Sequence, residues 1–125
     1  MLSFALDPTI AMADRASLSR ADRARALNDD FRRSLEGGKV MITPGVAALS
    51  DESRLALMWA VRLFEDFTPE NDPYEEHDFG AVTIKGERYL WKIDCFDLDL
   101  AQASPDASDP AFTIRVLTIM RGDEY

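Results

Sequence analysis

The stretch "DFGAVTIKGERYLWKIDCFDLDL", Asp78 to Leu100, decides the fold. Two runs rich in β-branched and aromatic residues flank Lys85-Gly86, a pattern that predicts two strands joined by a tight turn. Strict alternation then puts Tyr89, Trp91, Ile93 and Cys95 on one face and Leu90, Lys92, Asp94 and Phe96 on the other. A hairpin with an apolar face is marginal alone, so the rest of the chain must supply more strands and a cover for that face.

Both are legible on either side. Downstream, the polar run "AQASPDASDP" reads as a loop and "AFTIRVLTIM" as a last strand. Upstream, "SRADRARALNDDFRRSLEGG" carries Ala24, Leu27, Phe31 and Leu35 at spacings of three and four, which predicts an amphipathic helix ending at Gly37-Gly38. "KVMIT", Lys39 to Thr43, reads as a short strand turned out by Pro44-Gly45. "SDESRLALMWAVRLFEDF" starts at an N-cap Ser50, with Asp51 and Glu52 in its first turn. Its Leu55, Met58, Trp59 and Leu63, with Val61 and Phe64, suggest a broad core-facing side. The order α-β-α-β-β-β predicts an α+β domain: an antiparallel sheet of about four strands with two helices on one face. Residues 1–18 read as a flexible N-terminal arm and residues 19–125 as the domain.

Composition narrows the function. A chain of 125 residues that is 46% hydrophobic and 30% charged can bury a core without metal or disulfide staples. Its single cysteine, Cys95, sits in an apolar run and suits a reducing, cytoplasmic setting. No run approaches the ~20 apolar residues of a membrane span. The net charge is -9, and residues 63–125 hold five Lys/Arg against fifteen Asp/Glu, whereas residues 1–62 hold nine against eight. An acidic half of this kind repels nucleic acid and favours a protein partner with a basic surface. The arginines of the first helix, Arg20 to Arg33, alternate with acids and read as a salt-bridged solvent face.

The segment "NDPYEEHDFG", Asn71 to Gly80, concentrates Asp72, Glu75, Glu76 and Asp78 around the only histidine, His77. With Asp94 and Asp97 from the hairpin these are the candidate binding residues. Carboxylates and one imidazole could suit a metal-dependent hydrolase, the second reading, with Asp72, Glu76, Asp78 and Asp94 around His77. Yet the segment has no H-E-x-x-H, no cysteine pair and no EF-hand spacing, and no nucleophile is evident. The sequence therefore assigns no catalytic residue, metal or cofactor, and favours His77 as the lock of a loop at the entry to a strand.

The phrases "LNDDFRR", "GGKVMITPGVAAL", "FTPENDPYEEHDFG", "WKIDCFD" and "RVLTIMRGDEY" occur in that order. Together they resemble the bacterial family catalogued as domain of unknown function 3768, over about Leu27 to Tyr125. The resemblance implies an alphaproteobacterial, often plasmid-borne protein and carries no activity or cofactor. It maps the family signature onto Asn71, Asp72, Pro73, Glu76, His77, Asp78, Phe79 and Gly80, and onto Trp91, Lys92, Asp94 and Asp97. Glu75 departs from it, since the family more typically has glycine there. A mobile-element setting and an acidic surface together lead to an expected role as a non-catalytic inhibitor of a CRISPR or restriction effector.

Overall fold

A computed structural model describes residues 19–125. The arm expected over residues 1–18 lies outside the described residues. Helix α1 (Arg20–Ser34) begins where Ser19 Oγ accepts a hydrogen bond from the Asp22 amide at 3.0 Å. It ends two residues before the glycines, on Leu35, whose φ of 61° makes it the left-handed cap. Strand β1 (Gly38–Ile42) follows, then a one-turn helix α2 (Pro44–Ala47), too short to show any periodicity. Helix α3 (Asp51–Arg62) starts on the expected Ser50 cap, whose Oγ accepts from the Ser53 amide at 3.1 Å.

Strands β2 (Phe79–Ile84) and β3 (Glu87–Phe96) form the predicted hairpin. The turn residues Lys85 and Gly86 have φ of 51° and 82°, the pair of positive values that matches a tight turn to the twist of the flanking strands. Strand β4 (Ile114–Arg121) completes a sheet in the order β1-β4-β3-β2. β2, β3 and β4 are antiparallel neighbours, but β1 lies parallel to β4, Gly38 opposite Arg115 and Ile42 opposite Ile119. The sheet is therefore mixed, not purely antiparallel. Parallel partners need a crossover instead of a hairpin. Here everything between β1 and β4 serves as that crossover, so no local turn signal announces the pairing.

The predicted face of β3 is the buried one. Tyr89, Trp91 and Ile93 join Leu117 and Ile119 of β4 under Phe31 of α1, Val46 of α2, and Leu57 and Val61 of α3, with Cys95 packed against the cluster. Burying each large side chain here is worth about 1.5–3 kcal/mol. Only part of the expected core face of α3, Val61 and Phe64, is buried, however. Its buried residues are Ser53, Leu57 and Val61, while Leu55, Trp59 and Leu63 remain 61%, 48% and 68% exposed. The helix carries apolar residues on two sides and only one can meet the sheet.

Gly80 sits opposite Trp91 in the hairpin, and a Cβ there would lie 2.5 Å from Trp91 Nε1 and 2.9 Å from the Phe64 ring. Gly80→Ala must push apart the best-packed part of the core and is expected to lower stability by about 1–3 kcal/mol. Leu57→Ala, which opens a cavity in the same layer, is expected to cost about 2–5 kcal/mol. Urea denaturation of the two variants checks both values; a neutral Gly80→Ala would show that Trp91 has room to move.

Candidate functional site

The loop from Phe64 to Asp78 joins α3 to β2 and is built on its own backbone. Asn71 Oδ1 accepts from the Thr68 amide at 2.9 Å, and the Asp72 amide donates to Thr68 O at 2.8 Å. Asp72 is buried, and its Oδ1 accepts from the amides of Glu76 at 3.0 Å and His77 at 3.2 Å. This short-range pattern of an aspartate holding later amides is the usual answer to unpaired backbone donors in a loop. Two residues pass through the left-handed region, Glu75 at φ 55° and His77 at φ 54°. The position where the family resemblance implies glycine is thus one that glycine adopts without strain.

Helix α1 grips the turned-out carbonyls. Arg25 Nη1 donates to Glu75 O at 3.1 Å, and Asn28 Nδ2 to Glu76 O at 3.0 Å. One turn on, Asp29 places both carboxylate oxygens 2.9 and 3.0 Å from His77 Nδ1. His77 Nε2 lies 3.5 Å from Asp72 Oδ2, so the ring is bracketed by a carboxylate on each side. One ring face stacks on Phe67, with centroids 3.8 Å apart and planes 2° from parallel.

Asp29 also accepts from Arg32 Nη1 at 3.0 Å. Arg32 is fully buried, not on the solvent face that the alternating charges suggest. Its guanidinium donates to Phe64 O at 2.9 Å and lies over the rings of Phe67 and Trp91, 5.3 and 5.1 Å from their centroids. The chain of contacts Trp91, Arg32, Asp29, His77, Asp72 therefore runs from the core to the loop. Through Phe67 and this arginine the histidine loop does meet the tryptophan hairpin.

The remaining sequence candidates separate into two groups. Asp97 caps its own loop, with Oδ1 accepting from the Ala101 amide at 2.9 Å. Glu76, Asp78 and Asp94 gather beside Cys95 on the β2–β3 side of the sheet, and Ile93 N donates to Asp78 O at 2.8 Å. Burial first, then the charges of Asp78 and Asp72, raises the Glu76 carboxyl above its ordinary range. Asp78 is raised chiefly by burial; its own amide counteracts this in part, Asp72 and Asp94 add to the rise, and the neighbouring His77 opposes it. Lys92 Nζ pairs with Asp94 at 3.2 Å. Burial likewise raises the Cys95 thiol, which favours the inert form.

Chemically, this arrangement holds a loop better than it runs a reaction. A general base needs a nitrogen facing its substrate, and both nitrogens of His77 face carboxylates. A cleft of about 220 Å³ opens beside it, lined by Phe67, Thr68, Pro69, Asp72, Pro73, Glu75 and His77. Among the described residues no three of His, Cys, Asp and Glu are disposed to hold a metal ion. The residues that hold His77 and its loop in place, Asn28, Asp29, Arg32 and Phe67, were not visible as site residues in the sequence. Three of them sit in a helix whose mixed charges resemble any solvated surface.

Residues 42–124 match the model of a family described as "Protein of unknown function (DUF3768)". The chain belongs to this family. The match covers the histidine loop, the hairpin and β4, and begins downstream of α1, so the "LNDDFRR" phrase lies outside it. No curated protein and no solved structure matches the chain.

Removing Asp29 leaves a buried guanidinium without its carboxylate, so Asp29→Ala is expected to cost about 3–5 kcal/mol. His77→Ala, which strands no buried cation, is expected to cost about 1–3 kcal/mol, and a double-mutant cycle should show coupling between the two sites. Denaturant melts of the two single variants and the double variant provide the numbers; independent effects would separate His77 from the arginine.

The raised carboxyls give a pH signature of defined sign. A folded-state value above the unfolded one means that the charged form costs stability at neutral pH, and the cost is relieved as pH falls through the folded value. Asp78→Asn is therefore expected to raise the melting temperature at pH 7, and the gain should shrink on acidification. A gain that persisted under acid would assign the effect to something other than the charge.

Proposed function

We propose that the protein acts by binding another protein and that the acidic side of the sheet around Glu76, Asp78 and Asp94 receives a basic surface. The observation that carries this reading is that Glu76 and Asp78 are held above the ordinary carboxylate range by burial first and then by neighbouring carboxylates, Asp78 and Asp72 for Glu76, Asp72 and Asp94 for Asp78. Among the described residues neither has a cation within salt-bridge distance. Carboxylates in this state gain more from an incoming Lys or Arg than fully solvated ones do. Glu75, exposed on the same loop, adds to the field.

The partner class follows from charge. A surface this acidic repels nucleic acid itself but matches the basic groove in which a protein holds nucleic acid. A restriction or CRISPR effector is the sharpest version, with the protein as an inhibitor that occupies the groove. Such a role places it in the cytoplasm with its target and needs no cofactor.

The test is capture from a bacterial lysate with intact defence systems, using the wild-type chain and a Glu76→Lys, Asp78→Lys, Asp94→Lys variant shown to be folded. The wild type is expected to retain a nucleic-acid-binding complex and to displace labelled duplex DNA from it. The variant should retain at least tenfold less, and wild-type capture should weaken as salt rises, by charge screening. Equal capture by both proteins would remove the acidic patch from the reading.

A further inference from the structure

The two edges of the sheet are finished differently. On β2 only Thr83 is fully open, whereas all five residues of β1 are exposed, including Val40, Met41 and Ile42 at 38%, 57% and 41%. β1 pairs on one side with β4, and among the described residues nothing pairs with its other side. Proteins usually blunt such an edge with charges, proline or a bulge. Here the strand is short but apolar on both faces, and its only charge is Lys39.

The direction of the free groups is fixed by the ladder. The Thr43 amide donates inward to Ile119 O at 3.1 Å. In a parallel pair the inward groups alternate along the strand, so Lys39 and Met41 also serve β4, while Gly38, Val40 and Ile42 present their amides and carbonyls outward. From these outward groups we infer that β1 pairs with β1 of a second copy, antiparallel about Val40, joining two sheets into one of eight strands. In that register Gly38 faces Ile42 of the other copy, and Val40 faces its own counterpart. Every outward donor then meets an outward acceptor, giving about six hydrogen bonds. Lys39 lies opposite Met41, so no like charges confront each other across the junction.

Charge distribution favours a copy of this chain at the same edge. Two molecules of net charge -9 can approach only where free carboxylates are sparse; β1 itself carries none, and Glu124 at the end of the strand is turned onto the Thr43 hydroxyl and the Gly45 amide at 2.7 and 2.9 Å. The raised carboxyls lie beside β2 and β3, away from the free edge of β1. The edge also continues into an apolar cleft of about 340 Å³, lined by Ile42, Leu55 and Met58 with Asp51 and Arg54 at its rim. A closed two-fold contact uses the same patch on both partners and uses up the free edge of each.

The experiment is analytical ultracentrifugation of the full chain from micromolar to several hundred micromolar, with hydrogen exchange read at single amides. The expected result is a reversible monomer–dimer equilibrium in which the Val40 and Ile42 amides gain protection as the dimer forms. Val40→Pro deletes an amide that β4 does not use, and Val40→Lys sets two cations face to face across the two-fold. Each is expected to raise the dissociation constant at least tenfold while leaving the monomer's circular dichroism unchanged. Should Val40→Pro unfold the chain, Val40→Lys still decides the matter. A monomer at every concentration, a dimer indifferent to Val40→Lys, or protection of Val40 and Ile42 already complete in the monomer would each overturn the inference, the last by showing the chain's own remainder on the edge.

Discussion

A guanidinium with no access to water organises this molecule. Arg32 is fully buried, and a cation in that position is tolerated only if its charge and most of its donors are answered. The Phe64 carbonyl answers one donor, Asp29 answers the charge and another donor, and the faces of Phe67 and Trp91 lie against the plane, while Nε finds no hydrogen-bond partner among the described residues. Asp29 lies on the same helix, Phe64 and Phe67 in the segment that follows α3, and Trp91 on the hairpin. Satisfying one side chain therefore fixes α1 against the end of α3, the loop and the hairpin simultaneously.

His77 extends the same logic to the loop. It takes up the second side of Asp29, rests on Phe67 and reaches Asp72, whose own carboxylate holds two loop amides. The left-handed residues Glu75 and His77 make sense in this setting, because they turn carbonyls toward Arg25 and Asn28 on the helix. A loop held by so many specific polar contacts can present Glu75, Glu76 and Asp78 in fixed positions. Rigid presentation lowers the entropy lost on binding, which a solvated acidic tail lacks.

Local patterns in the sequence carried the elements, and non-local partners carried the surprises. The hairpin at Lys85-Gly86, the alternation along β3 and the Ser50 cap were legible because turn chemistry, period and capping act over a few residues. Trp59 defeated the expectation of burial because α3 is apolar on two sides, and only the sheet decides which side it covers. Arg32 defeated the expectation of exposure because its partners are a carbonyl 32 residues away and two rings on other elements. The histidine loop was read correctly as a segment that enters a strand. The role of Asp29 could not be read, since one acid in a mixed-charge helix carries no mark of what it faces.

The place of β4 in the sheet has a consequence for how the chain comes together. It is the last of the four strands to be synthesised, yet it lies between β1 and β3. Until residues 114–121 leave the ribosome, the first strand and the hairpin have no common neighbour, and the apolar side chains of both halves stay open. With synthesis at about 5–20 residues per second, that interval lasts seconds, long enough for chaperones to engage the nascent chain. Contacts such as Gly38 with Arg115 can therefore form only late, and the early translation products are the species most in need of protection from aggregation.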